Sequence, residues 1–188
     1  HFKIARKTIE QTGTFPAGAM SLTPDQLERY ARHIMLREVG GVGQQKLLKA
    51  TVALVGLGAL GGPAAMYLAA AGAGGLILID DDTVSLSNLQ RQVLFSTGDI
   101  GAAKTEAGQR ALAAINPDTR ITPRPERLTS ANARALLAGA DIVAALHEGA
   151  LGFVGHAVFD LHVAAVAFVR RELPAFGLVV PLRQVGRA

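Results

Sequence analysis

The chain of 188 residues contains no cysteine. That excludes a disulfide framework, a thiol nucleophile and any cysteine-ligated zinc. It is compatible with a reducing compartment, and the expectation is a cytoplasmic protein. The histidines do not replace the missing ligands. His147, His156 and His162 lack zinc spacing with further donors, so no zinc and no metal site is expected in this chain. His33 reads as a helix-surface group. The net charge of +4 is modest and spread out. No basic run with interleaved aromatics is present, which points away from nucleic acid.

Uninterrupted apolar runs are scarce as well. Residues 50–79 carry no charged side chain, but Gly56, Gly58, Gly61, Gly62 and Pro63 interrupt them, and Gly72, Gly74 and Gly75 do so again. A buried strand, helix and strand explain the run better than a membrane span. Residues 149–169 hold Asp160 and two histidines, and a mid-bilayer Asp costs about 2.5–3.5 kcal/mol. No membrane partner is expected. The opening "HFKIARKTIE" has no apolar segment of the kind a secretory signal needs.

What is present suits a globular domain. Apolar residues make up 49% of the chain, enough for a real core. "LTPDQLERYARHIMLREVGG" opens with a helix start: Thr23 as N-cap, Pro24 at the first helical position and Gln26 completing a capping box. One helix over Pro24–Val39 is expected, with Leu27, Tyr30, Ala31, Ile34 and Met35 as its apolar stripe and Gly40 and Gly41 as its end. A short helix "QQKLLK" follows. "TVALVG" reads as a buried strand and "ALGGPAAMYLAAAG" as a helix closed by Gly72. "GLILID" is the next strand, and "AAKTEAGQRALAAINP" is a helix ended by Asn116 and Pro117. The two prolines of "TRITPRPERL" suggest a short or edge strand. "SANARALLAGADIV" reads as helix, turn and strand. This alternation predicts a parallel α/β sheet.

Chemistry concentrates in two places. In "VGLGALGG", Gly56, Gly58 and Gly61 fit G-x-G-x-x-G between a strand and a helix. The first glycine permits a tight turn, the second lets a phosphate approach the backbone, and the third allows close packing. The helix N-terminus then presents N–H groups and a positive dipole end to an anion. Asp80 ends the second strand, 24 residues past Gly56, where a ribose hydroxyl would sit. Up to this point a dinucleotide and ATP fit equally well. "SLSNLQRQ", residues 85–92, separates them. Its Asn88, Gln90 and Arg91 supply amide donors and a fixed cation, which a triphosphate needs and a plain NAD domain does not. Arg91 can make bidentate phosphate contacts, and Lys104 at the next helix start can act as a point charge. Asp81 and Asp82 read as ordering or capping their loop, with magnesium contact as the alternative.

"YARHIMLREVGGVGQQKLLKATVALVGLGALGG", "IDDDTVSLSNLQRQ" and "DIGAAKTEA" occur in order and together resemble the ThiF/MoeB/HesA family, bacterial relatives of the ubiquitin-activating enzymes. The resemblance covers residues 21–143. It implies a Rossmann-like, mostly parallel sheet with helices on both faces, preceded by N-terminal helices. It implies an adenylyltransferase that uses ATP and Mg²⁺ to activate the C-terminal glycine of a ubiquitin-fold sulfur-carrier protein for thiamine or molybdopterin biosynthesis, and a homodimer. By matching position, Gly56, Gly58 and Ala59 would line the phosphates, with Gly61 opening the helix. Ala59 stands where the family often has glycine. Asp80 would bind the ribose. Asn88, Gln90, Arg91 and Lys104 would hold phosphates, with Ser87 and Leu89 completing the nucleotide contacts. Arg32, Arg91 and Lys104 would be the catalytic cations, Arg32 reaching the neighbouring subunit's ATP; from the pattern alone Arg32 is a solvated helix face.

The chain then departs from the family. After "ADIV" the family continues with a D-x-x-D-N-type segment whose later aspartate binds magnesium. Here the chain reads "AALHEGALGFVG". Residues 144–188 contain no lysine and, as acids, only Glu148, Asp160 and Glu172. No counterpart of the family's second half follows. The expected organisation is an N-terminal extension at 1–20, an incomplete nucleotide-binding domain at 21–143 and a divergent or aberrant tail at 144–188. A truncated gene, a displaced frame near residue 144 or a natural divergent tail would each produce that shift. The corresponding alternatives for function are an NAD-binding oxidoreductase module and a non-catalytic nucleotide-binding remnant.

Overall fold

The computed structural model describes residues 22–145. The expectations for residues 1–20, for the histidines at 147, 156 and 162 and for the rest of the tail lie outside them. Two compact units divide at Lys46 and Leu47.

The described residues of the first unit form short helices, the last of which carries the chain past Lys46 into the second unit. α1 (Pro24–Arg29) starts as the capping box requires: the Gln26 N–H donates to Thr23 Oγ1 and the Thr23 N–H donates to Gln26 Oε1, each at 3.2 Å. The single helix expected over Pro24–Val39 is broken instead. Tyr30 leaves helical geometry at φ −101° and ψ 10°, α2 (Ala31–Ile34) follows, and α3 (Gly40–Lys49) begins where the glycines were expected only to stop a helix. The break shifts the phase of the apolar stripe. Tyr30 is buried, whereas Met35 is 73% exposed. His33 is also not a free surface group: its Nδ1 lies 3.0 Å from Oε1 of the buried Gln44.

The described residues of the second unit form a four-stranded parallel sheet in the order β3-β2-β1-β4, built from β1 (Thr51–Val55), β2 (Gly75–Ile79), β3 (Arg120–Arg124) and β4 (Ile142–Ala145). Between them run α4 (Gly61–Ala71), α5 (Lys104–Ile115) and α6 (Ala133–Leu136). Strand alternation explains the two faces. Val52, Leu54, Leu76 and Leu78 join Ala65 and Ala69 of α4 and Ala107 and Leu112 of α5 in one core cluster. Ala53, Ile77 and Ile79 join Leu136 of α6 in the other. Helices therefore cover both faces, as the strand–helix alternation predicts. Pro123 stands opposite Leu78 in an edge strand, where its missing N–H costs no ladder bond on the open side.

The ends of α4 and α5 are tied together. Gly72 closes α4 at φ 87°, and the buried Asn116 after α5 donates from Nδ2 to the Ala69 carbonyl at 2.7 Å. Among the described residues no helix is long and apolar enough to cross a membrane.

Candidate nucleotide site

Val55 and Ile79 pair at the carboxyl ends of β1 and β2, and the chain leaves both strands there. In an open parallel sheet this edge, where strand order reverses between β1 and its neighbours, is where ligands bind. Gly56 turns the chain at φ 90°, a value that glycine adopts without a Cβ penalty, and its N–H donates to the Ile79 carbonyl at 2.8 Å. The Gly62 N–H donates to the Gly58 carbonyl at 3.0 Å, which winds the turn into α4. No side chain caps the start of α4, so this end keeps its anion-binding character. Gly62 packs closely as well: a Cβ there would stand 3.1 Å from Leu94 Cβ.

Asp80 follows β2 directly. Its Oδ2 accepts the Leu57 N–H at 2.6 Å and its Oδ1 accepts the Asp82 N–H at 2.9 Å. The carboxylate is thus locked beside the glycine turn. Each oxygen keeps a further lone pair for a hydroxyl donor. The loop then forms a 3₁₀ turn over Leu86–Asn88. Asn88 caps the next turn through its backbone, its carbonyl accepting the N–H groups of Arg91 and Gln92 at 3.1 and 3.0 Å. Arg91 also donates from its guanidinium to Asn88 Oδ1 at 3.4 Å. Ser87 and Gln90 are exposed, Asn88, Leu89 and Arg91 half-buried.

Lys104 is the first residue of α5 and only 3% exposed. A buried cation at a helix N-terminus opposes the macrodipole. Such a broken local rule marks a site where charge serves a ligand or a specific partner. Its partner here is Asp82: Nζ donates to Asp82 Oδ2 at 2.9 Å and the Lys104 N–H donates to the Asp82 carbonyl at 3.0 Å. The sequence reading gives Asp82 a loop-ordering or capping role, with magnesium contact as the alternative, and no role toward Lys104. The pairing spans 22 positions and no local signal announces it.

Gly56, Gly58, Ala59, Gly61, Asp80, Ser87, Asn88, Leu89, Gln90, Arg91 and Lys104 all belong to the second unit, on the segments that leave β1 and β2 and on the start of α5. Arg32 belongs to the first unit, exposed on α2.

The three consecutive acids lie close together. Carboxylate oxygens of Asp80, Asp81 and Asp82 lie within 4.8 Å of one another. Yet Asp80 is committed to two N–H groups and Asp82 to an ammonium. Mg²⁺ is ordinarily held by one or two carboxylates together with waters and substrate phosphates, and Asp81 is the acid of the three that is exposed and outside these contacts. Asp141 cannot stand in. Its Oδ2 accepts the Thr51 N–H at 2.9 Å at the opposite end of β1, roughly 13 Å along the strand from the glycine turn. Asp99 is engaged by Ser96 and Arg110. These three polar groups edge a cavity of about 380 Å³ lined also by Val93, Phe95 and Ala107, which contains none of the expected site residues.

Residues 30–147 match the family model described as the ThiF family. The chain is 45% identical over 124 residues to the SAMP-activating enzyme E1 of Haloferax volcanii, an alignment covering 66% of this chain and 46% of that protein. It is 50% identical over 115 residues to the sulfur carrier protein ThiS adenylyltransferase of Escherichia coli, covering 61% and 46% respectively. The fold resembles the crystal structure of the E. coli tRNA N6-threonylcarbamoyladenosine dehydratase TcdA in complex with ATP. The TM-score is 0.63 at 29% identity, over 68% of this chain and 52% of that one. The chain therefore spans about half the length of the curated relatives it matches. With the glycine turn, the locked aspartate and the Asn–Gln–Arg loop in place, and the family model matching residues 30–147 of its 188, this chain belongs to the ThiF family.

Proposed function

We propose that residues 21–143 form the ATP-binding part of an adenylyltransferase that activates the C-terminal carboxylate of a ubiquitin-fold sulfur carrier. The observation that carries this reading is Asp80, held by the Leu57 N–H beside the glycine turn, with Arg91 on the following loop and Lys104 at the head of α5. In the reaction so proposed, a carboxylate oxygen of the carrier attacks the α-phosphorus of ATP. An acyl adenylate forms and pyrophosphate leaves. Backbone N–H groups at Gly56, Gly58 and Ala59 would take phosphate oxygens, and Gly61 would open the helix toward them. Asp80 would accept from the ribose hydroxyls. Asn88, Gln90, Arg91 and Lys104 would offset the charge that develops on the phosphates, with Ser87 and Leu89 against the nucleotide. Arg32 is proposed to act on the nucleotide of a second copy in a homodimer. Mg²⁺ belongs to this reading through the family resemblance. A cytoplasmic location is part of the same proposal.

Titration of the chain with ATP and with NAD tests the nucleotide. Saturable ATP binding at concentrations where NAD does not bind is expected. Preference for NAD would favour a dinucleotide-binding oxidoreductase module, which the glycine turn and Asp80 alone would permit.

A further inference from the structure

We propose that Asp82 is a positioning residue for Lys104, and that it fixes the lysine's ammonium relative to the glycine turn. The proposal rests on the nucleotide reading above. A continuous chain of hydrogen bonds joins the two halves of the site. The Leu57 N–H donates to Asp80, whose other carboxylate oxygen accepts the Asp82 N–H. Asp82 then holds Lys104 twice, its carbonyl accepting the Lys104 N–H and its carboxylate the ammonium. The flanking backbone is stitched in the same sense. Thr83 bridges Ala103, the Val84 N–H donates to the Ala102 carbonyl at 2.9 Å, and the Gly101 N–H donates to the Val84 carbonyl at 2.9 Å.

The two partners are unequal. The Lys104 side chain is 4% exposed and that of Asp82 is 69% exposed. An ion pair between two exposed groups contributes little. Here one member is desolvated, so the carboxylate decides where the ammonium rests. Lysine is a flexible point charge with four rotatable bonds, and left alone it samples many poses. A phosphate ligand gains most from a cation already in place. Asp82 supplies that order at the cost of a negative charge, which its exposure to water screens from the ligand.

The test compares ATP and adenosine binding in the parent, Asp82→Asn, Asp82→Glu, Lys104→Met and the Asp82→Asn/Lys104→Met double variant. Alongside, the acetylation rate of Lys104 by a small amine-reactive reagent is read by peptide mass, with Lys46 and Lys49 as internal references. Asp82→Asn is expected to weaken ATP binding about tenfold, the loss of one charge-assisted contact, and to leave adenosine binding unchanged. In the Lys104→Met background the same substitution should have little further effect, as coupled residues require. Lys104 should acetylate faster in Asp82→Asn, and Asp82→Glu should restore part of both properties. An equal loss of adenosine binding, or an equal effect with Lys104 removed, would assign Asp82 a general structural role and overturn the proposal. If the parent binds no ATP, the nucleotide reading fails and the acetylation arm alone decides. A rate raised by Asn and lowered again by Glu would uphold the positioning role, and an unchanged rate would sink it.

Discussion

Asp99 shows how a single side chain sets a pH dependence. The Ser96 backbone N–H donates to its carboxylate at 2.9 Å, the Ser96 hydroxyl at 2.7 Å and Arg110 at 2.9 Å. These contacts, the Ser96 N–H foremost, hold its pKa below the ordinary 3.8. A depressed carboxylate contributes stability that is fully present above its unfolded pKa. The contribution is lost as pH falls from there through the folded value. Asp99→Asn should therefore lower the stability at pH 7 and flatten its decline below about pH 4. Urea midpoints across pH 2–7 would check it, and parallel curves for parent and variant would show the contacts to be inert. Residue chemistry of this kind was partly legible beforehand. The amides and guanidinium of "SLSNLQRQ" have no use in a core, so their types alone pointed to a charged ligand. The hold of Asp82 on Lys104 and the contact of His33 with Gln44 were not legible. Both join positions that only the folded backbone brings together.

At the scale of elements, close approach decides where glycine is required. Gly74 precedes β2, and its N–H donates to the Leu47 carbonyl at 3.0 Å. A Cβ at Gly74 would run into the Leu48 carbonyl oxygen, which is backbone and cannot rotate away. Gly74→Ala should cost about 1–3 kcal/mol or more, as overpacking does, read as a lower urea midpoint. A midpoint equal to the parent's would mean that the segment before β1 shifts freely. Strand and helix identities in this unit followed from period and from turn residues. β1, β2 and α4 lie within one residue or two of the expected spans. The helix expected over Pro24–Val39 failed because periodicity cannot report a backbone break. Tyr30 keeps its place in the apolar pattern while its φ and ψ leave the helix. Local caps fixed the start at Thr23 correctly, since a capping box is complete within four residues.

For the molecule as a whole, the family supplies more than the described domain holds. Residues 22–145 contain the glycine turn, Asp80, the Asn–Gln–Arg loop and Lys104, and the sequence that follows β4 lacks the D-x-x-D-N pattern. β4 itself runs through Ala145, paired with Val55, so the parallel sheet continues to the point where the family's metal-binding segment would begin. Sequence order made that departure visible, because the D-x-x-D-N pattern is short and contiguous. We expect carrier-dependent exchange of labelled pyrophosphate into ATP to run about two to four orders of magnitude below that of an intact relative. That corresponds to roughly 3–5 kcal/mol of lost transition-state stabilisation. Exchange at the relative's rate would show that another group replaces the missing aspartate.

The claim on which the rest depends is that the glycine turn, Asp80 and Arg91 bind one ATP. Its most direct test is calorimetric titration of ATP into the parent, Asp80→Ala and Arg91→Ala, each first shown to be folded by circular dichroism. Each substitution removes a charge-assisted hydrogen bond and should raise the Kd by about 10- to 100-fold, from a loss of roughly 1.5–3 kcal/mol. Variants that bind ATP as tightly as the parent would contradict the account, because the nucleotide would then lie elsewhere.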